Sequence, residues 1–164
     1  MAANLPPEPG RPQFPSDYQV ATGREGLLSW DWVDEQLQKA RSYWLCTTRA
    51  GGRPHVAPVW GVWLEGKVCF GTDSRSLKGR NIARRPQAVI HLENGDEVVI
   101  LEGAVESLED PILRERFVPA YEAKYSFRPD PGQPGQGFYA FRPDVAFAWL
   151  EKDFTNSATR WRFS

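Results

Sequence analysis

Residues 54–82 read PHVAPVWGVWLEGKVCFGTDSRSLKGRNI. Pro54 to Leu64 and Lys67 to Thr72 are rich in β-branched and aromatic residues, and Glu65-Gly66 between them has the composition of a hairpin turn. The run from Phe70 through Gly71, Thr72, Asp73, Ser74, Arg75, Ser76, Leu77, Lys78, Gly79, Arg80 and Asn81 to Ile82 then reads as a strand end turning into a helix. A helix start presents unpaired N–H groups and the positive end of the dipole, and Ser74 or Ser76 can cap it while adding hydroxyls. Arg75, Lys78, Arg80, Arg84 and Arg85 place five cations in eleven residues with no acid among them, although the chain carries a net charge of only -1. The stretch therefore predicts a local anion site on a sheet-based fold.

The dipole alone contributes about 0.3–1 kcal/mol and cannot hold a ligand. Charge-assisted hydrogen bonds contribute roughly 1.5–3 kcal/mol each, so three or four approach the ~8 kcal/mol of micromolar binding. Charge by itself equally fits a solvated basic face beside Arg84-Arg85-Pro86, and context has to separate the two.

Outward from this stretch, short strands continue. Trp44 to Thr48 precedes it across the turn Ala50-Gly51-Gly52-Arg53, and Ala88 to Leu92 and Glu97 to Leu108 follow it around Asn94-Gly95, a pair that tolerates positive φ. Trp30, Val33, Leu37, Ala40 and Trp44 recur at nearly helical spacing after Ser29 or Asp31, predicting a helix of about three turns. Asp110 and Pro111 open a second helix through about Lys124. After a Pro/Gly loop over Arg128 to Gly137 come strands at Phe138 to Arg142 and Val145 to Leu150, and Thr159-Arg160-Trp161-Arg162-Phe163 alternates as one more edge strand. The expected class is mainly β with some α, an antiparallel closed or split barrel with a few flanking helices.

The 164 residues fit one core. Residues 29–164 are expected to form that single domain, and residues 1–28, with Pro6, Pro7, Pro9, Gly10, Pro12 and Pro15, an arm or disordered leader. Near-neutral charge without a long basic stripe argues against a nucleic-acid partner. No apolar run approaches the ~18 residues of a spanning helix, and Met1 to Gly10 lacks a signal peptide's charged and apolar regions. A cytoplasmic protein without membrane contact is expected. Cys46 and Cys69 have neither metal nor redox spacing and read as buried thiols; His55 and His91 belong to no metal-ligating cluster, so no metal is expected. A single His nonetheless leaves haem ligation open.

Gly52-Arg53-Pro54-His55, the long strand after it, Phe70-Gly71-Thr72, Ser76-Leu77-Lys78-Gly79 and Arg85-Pro86 resemble the flavin-binding split-barrel family of pyridoxamine 5'-phosphate oxidase and its flavin and deazaflavin oxidoreductase relatives. The resemblance covers roughly Trp44 to Leu108. It implies that Thr72, Ser76 and Lys78 hold the cofactor phosphate, with Gly71, Arg75, Arg80 and Asn81 around it, and that Ala57, Pro58, Val59 and Trp60 line the tricyclic ring. It also implies a homodimer whose cofactor sites lie between subunits, with Trp149 or Trp161 as candidate walls from the second subunit.

Departures from the pattern narrow the cofactor. Where the oxidase carries cations that grip flavin mononucleotide (FMN), this chain has Ala57, Val62 and Leu77. Arg75, Arg80 and Arg53 would compensate from another direction, favouring a different tail. Val59-Trp60-Gly61-Val62-Trp63 and the terminal Thr159 to Phe163 also resemble the branch that uses the deazaflavin coenzyme F-420, whose tail carries a phospholactyl group and glutamates. The implied activity is hydride transfer to a small or planar conjugated acceptor; FMN chemistry on the same fold and a non-catalytic flavin or haem carrier are the alternatives. Trp60 or Trp63 would stack on cofactor or substrate. No side chain is selected as catalytic: Tyr121, Tyr125 and Tyr139 are equal candidates for a proton donor.

Overall fold

The computed structural model describes residues 7–163, so Pro6 and the rest of residues 1–6 in the N-terminal arm lie outside the described residues. In chain order the elements are α1 (Trp30–Lys39), β1 (Tyr43–Thr48), β2 (Pro54–Val59), β3 (Gly61–Leu64), β4 (Lys67–Asp73), α2 (Leu77–Arg84), β5 (Gln87–His91), β6 (Glu97–Ser107), α3 (Pro111–Tyr125), β7 (Gln136–Leu150), α4 (Phe154–Ser157) and β8 (Thr159–Arg162). One antiparallel sheet runs β2-β1-β5-β6-β7-β4-β3, and β8 adds to β7. It curls into the split barrel the sequence predicts.

Strand alternation sorts the sheet into two faces. Across β2, β1, β5, β6, β7 and β8 the paired positions Ala57, Leu45, Ile90, Leu101, Ala146 and Trp161 form an inner row. From Leu45 onward this row is fully buried. One residue along, Pro58, Trp44, His91, Ile100, Phe147 and Arg160 form an outer row that stays partly or fully exposed. The inner face packs with Val33 and Leu37 of α1 in the main core, and Leu113, Phe117, Tyr121 and Tyr125, spaced four apart on α3, build a second core with Phe138 and Ala140. Ser29 caps α1 at Trp32, while Asp110 caps α3 at Ile112 and Leu113, with Pro111 in the first turn.

Three expectations change. Residues 54–64 are two strands, because the chain leaves β1 and joins β4 at Trp60; Gly61 permits this, since a Cβ there would lie 2.8 Å from the Cys69 carbonyl oxygen. Conversely β7 is one strand of 15 residues, not two. Pro143 sits at the register shift opposite Glu102 and Gly103, and Gly103, having no side chain, lets the Arg142 carbonyl approach. The Asn94-Gly95 hairpin exists, but neither residue takes positive φ; the Asn94 side chain accepts from the Asp96 and Glu97 N–H groups instead. Glu65-Gly66 does take positive φ at both positions, as a tight hairpin requires.

Residues 7–28 form an arm held against the C-terminal segment. Gly10 bridges Arg160, and the Arg11 guanidinium donates to the carbonyls of Gly23, Glu25, Asn156 and Ala158. Phe14 and Tyr18 stack and meet Phe154.

A candidate anion cradle and cofactor groove

The anion site begins with the turn between β4 and α2. Thr72 is 8% exposed at the end of β4, and its hydroxyl lies 3.4 Å from that of Ser76. Ser76 is the cap: its Oγ accepts from the Gly79 N–H at 3.1 Å. The Leu77 and Lys78 N–H groups, next in the first turn, have no acceptor among the described residues, and the Lys78 side chain projects from the same turn. Gly79 is dictated by crowding, since a Cβ would lie 2.6 Å from the carbonyl oxygens of both Asp73 and Ser74. Two hydroxyls, two free N–H groups, a dipole end and an ammonium therefore share one turn, a donor set suited to phosphate.

The other predicted residues divide. Arg75 turns away to pair with Asp73, with Nη2 to Oδ2 at 2.7 Å and Nε to Oδ1 at 3.0 Å. These hydrogen bonds from Arg75 hold the Asp73 carboxyl at about 2, below its usual value. Asn81 is buried and donates Nδ2 to Thr47 Oγ1 at 3.0 Å, fastening α2 to β1. Gly71, on β4, contacts Gln136 and Phe138 of β7 through the space its missing side chain leaves. Ala57 and Val59 point to the core side and Pro58 and Trp60 to the outer side, so the four supposed ring-lining residues do not share a face.

Beside the cradle, α2 and the β1–β2 hairpin enclose a groove of about 700 Å³ lined by Arg49, Arg53, Arg80 and Arg84 together with Ser74 and Asn81. Of the three arginines expected to compensate, Arg53 and Arg80 line this groove, whereas Arg75 is paired with Asp73. Arg49 and Arg84 join them without having been singled out for this role, Arg49 because its contribution depends on the Arg49–Arg53 turn closing.

The aromatic expectations are largely redirected. Trp63 Nε1 donates to Asp34 Oδ1 at 2.6 Å, locking β3 to α1. Trp161 is fully buried and so is a core residue instead of a wall for a second subunit; Trp149 packs edge-on against Phe154. Trp60 stacks on Tyr125 at 4.6 Å and 1°. The Tyr125 hydroxyl engages Gly61 N–H and the carbonyls of Gly61 and Arg41. Lys124 Nζ donates to the Gly61 carbonyl at 2.8 Å; burial and then Arg41 nearby pull its pKa down to about 8. Burial pushes Tyr121 up to about 12 and raises Tyr139. Cys69 is buried and pushed up to about 12, whereas Cys46 lies half-exposed on the outer face.

A family profile described as pyridoxamine 5'-phosphate oxidase matches residues 30–150. The chain belongs to this family. Its matched region contains the whole β4–α2 cradle and all four groove arginines. No curated protein matches. Among solved structures, a conserved hypothetical protein of Mycobacterium tuberculosis is 19% identical with a TM-score of 0.67, over 81% of this chain and 91% of that one. An F-420 reductase is 21% identical with a TM-score of 0.56, over 69% and 94%. A heme binding protein of Mycobacterium smegmatis is 20% identical with a TM-score of 0.58, over 70% and 52%. These likenesses establish the split barrel shared by the pyridoxamine 5'-phosphate oxidase family. No helix among the described residues is long and apolar enough to cross a membrane.

Proposed function

We propose that this member of the family is a cytoplasmic oxidoreductase that binds coenzyme F-420 and passes a hydride to a small or planar conjugated acceptor. The observation carrying this reading is the groove of Arg49, Arg53, Arg80 and Arg84 next to a turn whose donor set suits one phosphate. FMN ends at a phosphate and leaves such a groove unused; a tail that continues into carboxylates fills it. The lack of cations at Ala57 of β2 and Val62 of β3 points the same way.

Thr72, Ser76, Lys78 and the Leu77 and Lys78 N–H groups would hold the phosphate, and the arginines the tail. The bound cofactor supplies the hydride chemistry. The chain's part is to orient and to exclude water, where close alignment contributes about 7–11 kcal/mol to the barrier. Titration should find F-420 binding at least about tenfold tighter than FMN. The double variant Arg53→Gln/Arg80→Gln should lose most of that preference while changing FMN affinity less than about threefold. Stoichiometric FMN in the purified protein, giving a yellow preparation, would reverse the ranking and favour the FMN-dependent alternative.

We also propose a homodimer formed through the outer sheet face. Val56, 50% exposed, with Pro58, Trp44, Cys46, Val89, Ile100 and Phe147 makes a largely apolar surface across five strands, with His91 stacked on Trp44 among them, of the kind that marks association. Pro54 and Pro58 on edge strand β2 remove backbone donors, so face-to-face association is favoured over strand addition. Light scattering should give twice the 18.6 kDa chain mass, and Ile100→Glu should halve it. A monomer that binds cofactor just as tightly would overturn this assembly.

A further inference from the structure

A second cationic feature lies away from the arginine groove. At the junction of β2 and β3, Arg41 and Lys124 stand beside Trp60, Tyr121 and Tyr125. Neither cation has a carboxylate partner among the described residues: Arg41 Nη1 donates to the Lys124 carbonyl at 3.0 Å and Lys124 Nζ to that of Gly61. Two like charges are thus held close together, each raising the energy of the other, and an anion placed between solvent and this pair relieves the repulsion.

The aromatic geometry says where such an anion would come from. Tyr125 covers one face of the Trp60 indole, at 4.6 Å and 1°, yet Trp60 remains 45% exposed. The Arg41 guanidinium carbon is 5.5 Å from the Trp60 ring centre and 4.8 Å from that of Tyr125. These two distances and the 4.6 Å stack form a nearly equilateral triangle, which puts Arg41 beside the stacked pair and not over the indole face turned away from Tyr125. The platform is also tied to the backbone: the Tyr125 hydroxyl accepts from the N–H of Gly61, the residue after Trp60, and its single proton goes to the carbonyl of Arg41 at 2.7 Å or of Gly61 at 2.8 Å. A flat, pre-organised π face with a charge-assisted donor at its rim matches one ligand chemistry, a planar conjugated system bearing a carboxylate or similar anion.

We propose that Trp60 and Arg41 form a specificity platform that selects planar, anionic conjugated compounds as the acceptor. As an acceptor site it rests on the oxidoreductase reading above; as a binding site it does not.

The test uses 2-naphthoate and its neutral isostere 2-naphthamide, titrated by calorimetry into the full-length protein with and without F-420. Naphthoate should bind about tenfold more tightly than naphthamide. Arg41→Gln should erase that difference while leaving naphthamide affinity within about twofold, and Trp60→Leu should weaken both probes about tenfold. Circular dichroism of each variant verifies the fold, and Arg41→Lys, which keeps charge and loses the planar fork, should restore part of the preference. Equal affinities for the two probes in the wild-type protein, or unchanged binding in Trp60→Leu, would overturn the platform. A protein that discriminates as described and fails to bind F-420 retains the platform as a ligand site and loses the reductase reading. One that binds F-420 and does not discriminate loses the platform alone.

Discussion

Gly79→Ala should lower both the stability of the protein and its affinity for an anionic cofactor, the first by about 1–3 kcal/mol. The added methyl meets the carbonyl oxygens of Asp73 and Ser74 at 2.6 Å, and both are backbone atoms that cannot rotate away. Either the first turn of α2 or the β4–α2 turn must move, and those two segments carry Ser76, Lys78 and Thr72. A displacement of well under an ångström is enough to spoil several hydrogen bonds to one phosphate at once, so the fall in affinity should exceed tenfold. At this chain length the stability loss corresponds to a melting temperature lower by about 2–4 °C per kcal/mol. Gly95→Ala is the matched control: nothing lies within 4 Å of its Cβ position, and it should melt with the wild type. If Gly79→Ala loses stability and keeps full cofactor affinity, the ligand does not sit on this turn.

Lys78→Ala should weaken cofactor binding roughly ten- to a hundredfold, whereas Arg85→Ala should change it less than about threefold, although both belong to one basic run. Lys78 stands in the first turn of α2 with the unpaired N–H groups and the Ser76 cap. Arg85 is the residue that closes the helix at its other end, exposed to solvent, with its N–H bonded to the Asn81 carbonyl. A charge that far from the cradle is screened by water and salt. Isothermal titration of both variants at fixed ionic strength decides the matter. Equal losses would mean diffuse attraction by the basic face, and the cradle assignment would fall.

What the sequence made legible was local. Ser76, Gly79 and Lys78 lie within a few residues of one another, so the cap, the crowded glycine and the cation share a helix turn by covalent connection, and the structure keeps them there. The helix start at Asp110 was equally readable, and that of α1 was narrowed to Ser29 or Asp31, because capping is a short-range interaction. The arginine groove was only half visible, since Arg49 and Arg53 reach it from a hairpin that must first dock on α2. Arg41, Trp60 and Lys124 were still less so: they converge from the α1–β1 loop, the β2–β3 junction and α3 through the bonds of Tyr125 to Gly61 and Arg41. Trp161 was a candidate wall from a second subunit because alternation with Arg160 and Arg162 does not reveal which face is core; the pairing with Ala146 decides that. Pro143 suggested a strand break because the glycine that accommodates it, Gly103, is distant in sequence.

The pairing of β4 with β7 sets an order of events for a chain being made. Thr72 leaves the ribosome on a strand whose only neighbour is β3, and its other edge waits for residues 136–141. Until then the carbonyls and N–H groups along that edge are free to pair with another molecule, a period of exposure typical of sheets closed by distant contacts. The cradle's turn is tied down by the same late strand through the Ser74 N–H and the Gly135 carbonyl just before it. The turn of the cradle is therefore completed only once β7 has been made, and a nascent or truncated chain ending before Gln136 has the residues of the site without the strand that fastens it.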